Sequence, residues 1–327
     1  MFNRRFLLCI LFLFSLVLVA CDPQALTNIN SAAIETRTEH YQREVTIVEP
    51  PMEFQIDDLT LVYETRGEGQ PVLMLHGWPT DRHSMIGAME PIFRQREGWQ
   101  RVYVDLPGMG ETNGGSWING NDDVLQVLIQ FMDERYPAEP FLVAGFSYGG
   151  YLARGMLHEK HDQIDGMLLF APVIPGNREA RILAPHRVIV SNPEGLKQFP
   201  EPIAEFLAAG LVVQDDAVLA RQPEILGGLE RADQAALARI SQNYAFSFEV
   251  DDLPEPYEAP VLILTGKHDS VVGYENVFPL LSRYPRATFA VLDRAGHALH
   301  TEQVHLFNTL VDEWLDRVQE AQIPSSQ

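Results

Sequence analysis

Short apolar runs alternate with amphipathic stretches along most of this chain, and the alternation predicts its architecture. The later runs are continuously apolar, as is typical of parallel strands that are buried on both faces. Eight strands are predicted, at residues 45–48, 59–64, 72–75, 102–105, 141–145, 167–171, 261–266 and 288–292. Helices are predicted at residues 83–94, 122–136, 148–159, 274–282 and 301–319. Alternation of this kind predicts an α/β fold with a doubly wound, mostly parallel eight-stranded sheet.

The alternation breaks between residues 175 and 252. No convincing buried strand is present there, and helix-like pieces at 202–209 and 232–244 are separated by prolines. We therefore expect a helical cap at 175–252, inserted after the sixth strand of a core formed by residues 45–174 and 253–327.

The N-terminus has a different composition. Arg4 and Arg5 precede an uncharged apolar run at 6–20, which is short for a membrane span. A positive start followed by a short apolar run is typical of a secretory signal peptide, which we expect at residues 1–20. The sequence Leu-Val-Ala-Cys that ends at Cys21 resembles the bacterial lipobox, in which the cysteine is lipidated and becomes the mature N-terminus.

Two interpretations of this segment both tether the protein to a membrane. In the first, lipid on Cys21 anchors the mature chain, and in the second an uncleaved N-terminal helix does so. Residues 21–44 are polar with few large apolar side chains, so we expect them to form a tether. With Arg4 and Arg5 on the cytoplasmic side, the expected location is a bacterial cell membrane, with the body of the chain on its extracytoplasmic face.

Net charge argues against one class of partner, and the cysteine positions argue against an internal disulfide. The formal net charge is −21 over 327 residues, and such an acidic surface repels phosphate backbones, so nucleic acid is not an expected partner. The two cysteines are Cys9, inside the predicted signal peptide, and Cys21. The mature fold is therefore expected to hold no internal disulfide. The sequence does not indicate an oligomeric state.

Chemically active side chains follow several predicted strands, at the edge where ligands bind in open α/β sheets. Ser147 follows the fifth strand, Asp269 the seventh and His297 the eighth. Glycines flank the serine, as in a sharp strand-to-helix turn that exposes a nucleophile. Serine, aspartate and histidine in this chain order are typical of the α/β-hydrolase fold.

From about residue 45 to the last predicted helix, the chain resembles the α/β-hydrolase superfamily. The resemblance is carried by the motifs HGWP, DLPGMGET and GFSYGG. They are similar to those of a capped branch that includes meta-cleavage-product hydrolases, esterases and non-haem haloperoxidases. The resemblance implies that Ser147 is the nucleophile, Asp269 the acid and His297 the base.

The residue types support these roles independently. A serine hydroxyl is a weak nucleophile unless a base lies within hydrogen-bond reach. Histidine supplies that base near neutral pH, and a carboxylate on its other nitrogen fixes the tautomer. The backbone N–H of Tyr148, at the start of the next helix, is expected to face a developing oxyanion. The second oxyanion N–H is expected from Trp78.

Other candidates are interpreted as structural. Asp293 is an alternative acid, but it lies shortly before His297 in the loop after the same strand, which is a poor position from which to orient that ring. His76 is interpreted as a hydrogen-bonding residue of the oxyanion loop, and Asp105 as a support for the loop after its strand. The remaining histidines follow no metal-ligand spacing, and no dinucleotide fingerprint is present, so neither a metal nor a cofactor is expected.

The sequence therefore predicts a serine hydrolase that acts on a small-molecule ester, a lactone, or a related acyl or carbon–carbon bond substrate. A serine nucleophile argues against haloalkane dehalogenases and epoxide hydrolases, which carry aspartate there. An aminopeptidase-type hydrolase is an alternative that the missing HGGPG loop disfavours. A non-catalytic, membrane-tethered binding protein on the same scaffold is the alternative from another functional class.

Overall fold

The computed structural model describes residues 50–323 of the chain. Among these residues, no helix is long and apolar enough to cross a bilayer. The predictions that fall outside the described residues are the signal peptide at 1–20, the lipidation of Cys21, the tether at 21–44 and the first strand at 45–48.

Two compact units are distinguished among the described residues. Residues 193–209 belong to the first, and residues 51–192 together with 210–323 form the second. All strands of the sheet and all candidate site residues within 50–323 belong to the second unit.

An eight-stranded sheet forms the centre of the second unit. Its strands are β1 (Met52–Ile56), β2 (Leu59–Arg66), β3 (Gln70–Leu75), β4 (Trp99–Val104), β5 (Phe141–Phe146), β6 (Ile164–Phe170), β7 (Val261–Gly266) and β8 (Ala287–Leu292). The order across the sheet is β1-β2-β4-β3-β5-β6-β7-β8. Strand β2 is antiparallel to both of its neighbours, and the other pairs are parallel. The predicted fold class is therefore confirmed.

The edge strand β1 was missed by the sequence analysis. It pairs with β2 from Met52, opposite Tyr63, to Ile56, opposite Leu59. Its outward side chains Glu53 and Gln55 are exposed, whereas its alternate residues are at least partly buried. This alternation is typical of an edge strand with one solvated face, which differs from the continuous apolar runs of the central strands.

Helices lie between and after the strands along the described chain. They are α1 (Arg82–Phe93), α2 (Asn121–Arg135), α3 (Tyr148–Glu159), α4 (Pro193–Leu196), α5 (Glu201–Gly210), α6 (Asp216–Leu219), α7 (Gln222–Arg231), α8 (Gln234–Ile240), α9 (Leu299–Glu302) and α10 (Val304–Gln322). The predicted helix at 274–282 is instead a 3-10 helix, Glu275–Arg283. Pro279 lies inside it and has no N–H to donate, which disfavours a regular α-helix there.

The interval between β6 and β7 adds no strand to the sheet. Its described residues form helices α4 to α8, with one isolated parallel bridge between Val190 and Val213. Helix α7 was not predicted, and it approaches the chain after β3 closely. A Cβ on Gly228 would lie 2.7 Å from the backbone nitrogen of Asp81, so only glycine fits. Arg231 also binds the buried Asp81 carboxylate, which ties α7 to the start of α1.

Candidate active site

A strained turn between β5 and α3 presents Ser147. Its φ of 53° and ψ of −111° lie outside the regions that non-glycine residues usually adopt. The backbone holds it there, because the Ser147 N–H donates to the Phe170 carbonyl at 3.0 Å and its carbonyl accepts from the Val173 N–H at 3.0 Å. Strain that the surroundings maintain in this way is typical of functional sites.

Two glycines make this turn possible. A Cβ on Gly145 would lie 2.3 Å from the carbonyl oxygen of Gly149, at the start of α3. A Cβ on Gly149 would lie 2.1 Å from the carbonyl oxygen of Leu75, at the end of β3. Neither separation is compatible with a side chain, so both glycines allow α3 to approach the strand ends closely.

Three sequence-predicted residues form one hydrogen-bonded chain. The Ser147 hydroxyl lies 2.9 Å from His297 Nε2, and His297 Nδ1 lies 2.9 Å from Asp269 Oδ2. A carboxylate only accepts hydrogen bonds, so Nδ1 carries the hydrogen and Nε2 is free to accept from the hydroxyl. Asp269 is fully buried, whereas the His297 side chain is 22% exposed. The arrangement leaves Nε2 ready to receive the serine proton.

Asp269 is held in place by its second oxygen. Oδ1 accepts from the N–H groups of Val271 at 2.8 Å and Val272 at 3.0 Å, which directs Oδ2 toward His297. The rival acid, Asp293, follows β8 and is not the partner of Nδ1. Three donors on one buried carboxylate therefore fix its orientation, which an acid that orients a histidine requires.

The loop after β3 lies beside the serine. A Cβ on Gly77 would lie 3.4 Å from the Ser147 Cβ, and the Gly77 carbonyl accepts from the Thr80 N–H at 2.9 Å. The next N–H in this loop belongs to Trp78. Tyr148 is the first residue of α3, so its N–H has no partner within the helix. Both predicted oxyanion donors therefore come from backbone segments that flank Ser147.

His76 braces this loop and Asp105 supports the loop after β4, as interpreted from the sequence. His76 Nδ1 lies 2.9 Å from the Gly77 carbonyl, and its Nε2 accepts from the Leu106 N–H at 3.0 Å. Complete burial lowers the pKa of His76, which keeps the ring neutral. Asp105 accepts from the Arg82 N–H at 2.8 Å and from the Glu111 N–H at 2.9 Å. Neither side chain is directed at the serine hydroxyl.

Aromatic rings form a wall beside the serine. Trp78 packs edge-on against Tyr148 with centroids 5.2 Å apart, and Tyr244 lies 5.5 Å from Tyr148 and 6.1 Å from Tyr151. Burial raises the pKa of Tyr244 to about 12, so this hydroxyl stays neutral. Tyr148 and Tyr151 are buried, so Trp78 and Tyr244, which are partly exposed, supply the apolar surface that the wall presents.

One residue that supports this wall was not predicted from the sequence. Asn121, the first residue of α2, accepts from the Tyr148 hydroxyl at 2.6 Å and donates to the Tyr244 carbonyl. No motif marks an asparagine for that position, because both partners are distant in sequence. Across residues 50–323, no cluster of three or more histidine, cysteine or carboxylate side chains is arranged to hold a metal ion.

Comparison with solved structures supports the fold. The chain is 31% identical to an alpha/beta superfamily hydrolase from Oenococcus oeni PSU-1, with a TM-score of 0.74 over 82% of this chain and 99% of that one.

Two curated relatives share less sequence identity with this chain. A pimeloyl-[acyl-carrier protein] methyl ester esterase from Shewanella sp. (strain MR-7) is 26% identical over 262 residues, which cover 77% of this chain and 93% of the relative. A 2-hydroxy-6-oxononadienedioate/2-hydroxy-6-oxononatrienedioate hydrolase from Cupriavidus pinatubonensis (strain JMP 134 / LMG 1197) is 24% identical over 292 residues, which cover 84% and 94%. The model of the alpha/beta hydrolase family matches residues 72–309. This protein therefore belongs to the alpha/beta hydrolase family and is a hydrolase.

Proposed function

We propose that this enzyme is a serine hydrolase that cleaves carboxylic esters of small molecules. The observation that carries the proposal is the hydrogen-bonded chain from the Ser147 hydroxyl through His297 to Asp269, with 2.9 Å at each step. Because this chain ends on a buried carboxylate, an imidazolium that forms when the serine loses its proton is stabilised where it arises.

The proposed reaction has two halves. Ser147 Oγ attacks the acyl carbon while its proton moves to His297 Nε2, and the Tyr148 and Trp78 N–H groups bind the oxyanion. His297 then gives the proton to the leaving alcohol, the ester C–O bond breaks, and an acyl-serine remains. A water molecule, deprotonated by His297, then attacks this acyl group. The bond from the acyl carbon to Ser147 Oγ breaks, His297 returns the proton to Oγ, and the acid leaves. Every proton is accounted for without a cofactor.

The aromatic wall favours esters with an apolar acyl or alcohol group. Tyr244, which lies between β6 and β7, packs against both Trp78 and Tyr148. We therefore propose that residues 175–252 act as a cap that helps to select the substrate. The esterases among the relatives support an ester as the substrate class.

A second candidate reaction is hydrolysis of a carbon–carbon bond next to a ketone. It is favoured by the Cupriavidus relative, whose name describes a hydrolase of dienedioates and trienedioates. The same three side chains would serve both reactions, so assays with both classes of substrate distinguish them.

A substrate panel tests the proposed function. It contains p-nitrophenyl esters of increasing chain length, lactones and vinylogous diketones, each assayed with the wild type and with Ser147→Ala. We expect ester hydrolysis by the wild type and a loss of about 10⁶-fold in kcat for the variant, as a lost serine nucleophile causes in subtilisin. An unchanged circular dichroism spectrum controls for folding. Hydrolysis that survives in folded Ser147→Ala would contradict the proposal.

The proposed cap has its own test. Tyr244→Ala removes one ring of the wall without touching the hydrogen-bonded chain, so we expect the preferred ester chain length to shift. The rate of fluorophosphonate labelling should stay close to that of the wild type. A large fall in labelling with unchanged selectivity would show that this residue supports the core instead.

We also propose that the protein is lipid-anchored on the extracytoplasmic face of a bacterial cell membrane. The proposal is supported only by the residue pattern, with Arg4 and Arg5 before an apolar run that ends at Cys21. We expect the membrane-extracted protein to begin at a lipid-modified Cys21, and Cys21→Ala to leave an uncleaved precursor. Intact-mass spectrometry decides this, and an N-terminus at any other residue would refute it.

A further inference from the structure

A buried carboxylate lies behind the candidate base. Glu302, at the end of the short helix α9, is 7% exposed and binds three backbone N–H groups. Its Oε1 accepts from Val212 at 2.5 Å and from Val213 at 3.1 Å, and its Oε2 accepts from Gly296 at 2.6 Å. Hydrogen bonds to a charged acceptor are roughly twice as strong as neutral ones.

The three N–H groups come from two separate parts of the chain. Gly296 directly precedes His297 in the loop after β8. Val212 and Val213 belong to the segment of residues 211–214, in the interval between β6 and β7. This segment is itself fixed, because the Val212 carbonyl accepts from Ile189 at 2.8 Å. Glu302 is therefore the common partner of the His297 loop and the 211–214 segment.

The two segments also touch directly. A Cβ on Gly296 would lie 2.9 Å from the Val212 Cγ2, which is closer than side chains tolerate. The backbone of the His297 loop therefore rests against the 211–214 segment with no room for a side chain between them.

We propose that Glu302 is a positioning residue, which holds the His297 loop against the 211–214 segment and so keeps the imidazole aligned with Ser147. The inference rests on the proposed function, because it assigns Glu302 to the geometry of that same site. Glu302 makes no hydrogen bond to the serine, histidine or aspartate side chains within residues 50–323, so it acts through the Gly296 N–H. It is also neither a nucleophile nor a proton donor in the reaction.

A carboxylate is required because all three partners are donors. The isosteric change Glu302→Gln replaces one oxygen with an NH₂ group, which must then face either Gly296 or the valine pair. In either orientation a donor meets a donor, and buried N–H groups lose their acceptor. The change therefore releases one of the two segments while keeping the volume of the side chain.

Steady-state kinetics of Glu302→Gln test the inference. Misplacement of a reacting group by about 1 Å costs about 100-fold in rate, so we expect kcat to fall by about 100-fold while KM stays within about threefold. The matched control is Tyr257→Phe, which removes a buried hydrogen bond to the Ile164 carbonyl at the opposite, amino-terminal end of β6. This control should lose stability and keep its kcat.

The outcomes separate the inference from the proposed function. If Ser147→Ala retains turnover, the proposed function fails. If Ser147→Ala is inactive but Glu302→Gln keeps the kcat of the wild type, only the positioning role is overturned. The positioning role is also overturned if Tyr257→Phe loses as much kcat as Glu302→Gln at an equal loss of melting temperature. General destabilisation would then explain both losses.

A steric rescue tests the same contact without altering Glu302. Gly296→Ala drives a Cβ into Val212, so we expect kcat to fall by at least about tenfold. Val212→Ala removes the methyl group that is struck, and the double variant Gly296→Ala/Val212→Ala should recover to within about threefold of the Val212→Ala single variant. Recovery supports the proposal. Additive losses in the folded double variant would overturn it.

Discussion

Replacing Asp269 by asparagine should disable the enzyme by changing the tautomer of His297. The substitution is isosteric, so its effect depends on which way the new amide points. If its NH₂ group faced Val271 and Val272, both N–H groups would lose their acceptor, and the buried one, on Val272, would cost about 1–3 kcal/mol. The amide oxygen therefore stays with that pair, and the NH₂ group points at His297.

In this orientation the NH₂ group donates to His297 Nδ1, which must then carry no hydrogen. The hydrogen moves to Nε2, which faces the Ser147 hydroxyl at 2.9 Å and can no longer accept its proton. The same change in trypsin lowers kcat about 10⁴-fold, which corresponds to about 5.4 kcal/mol of activation free energy. We expect a loss of that order in Asp269→Asn.

The assay is kcat/KM for the best p-nitrophenyl ester at pH 7, with Asp293→Asn as the matched control. Asp293 also lies in the loop after β8, near His297, but it is not the hydrogen-bond partner of His297 Nδ1. The kcat/KM of Asp293→Asn should therefore stay within about threefold of the wild type. Retention of activity within about tenfold in Asp269→Asn, or a larger loss in Asp293→Asn, would refute the assignment of the acid.

Two further predictions concern stability. Gly149→Ala would bring a Cβ to 2.1 Å from the Leu75 carbonyl oxygen, so we expect the melting temperature to fall by at least about 5 °C. A Cβ on Gly210 would meet no described atom within 4 Å, so the control Gly210→Ala should leave the melting temperature unchanged. Equal shifts in the two variants would contradict the prediction. Burial, reinforced by His297 and Arg221, lowers the pKa of His300 to about 3. As the pH falls from about 6.5 toward 3, unfolded chains take up this proton and folded chains do not, so stability falls by up to about 1.4 kcal/mol per pH unit. Between pH 6.5 and 4, the urea unfolding midpoint should therefore fall less steeply with pH in His300→Phe than in the wild type. An equal dependence on pH in both proteins would contradict this.

The central sheet could be predicted because its strands are buried on both faces. Strands β3 to β7 each contain a continuous apolar run. The edge strand β1 has Glu53 and Gln55 between its apolar residues, so its signal is a weak alternation over five residues. Helix α7 carries Gly227 and Gly228, which disfavour a helix, and its contact with Asp81 depends on tertiary packing.

The three residues of the hydrogen-bonded chain were identifiable because each follows a strand end. Parallel strands bring their carboxyl ends to one edge, so Ser147, Asp269 and His297 converge although up to 150 residues separate them. Glu302 and Asn121 were not identifiable in this way. Glu302 binds the Val212 N–H, 90 residues away, and Asn121 binds the Tyr244 carbonyl, 123 residues away. A backbone N–H or carbonyl leaves no signature in the residue types around it, and no motif marks Gly296 or the Tyr148 hydroxyl as their nearer partners.

The most direct test of the central claim is the site at which a fluorophosphonate reacts. The Ser147 oxygen should displace fluoride and form a single P–O bond, and peptide mass spectrometry of the labelled protein should find one adduct, on Ser147. His297→Ala should label far more slowly, because the hydroxyl loses its base. An adduct on another residue, or no adduct in a preparation that hydrolyses esters, would contradict the assignment of Ser147 as the nucleophile.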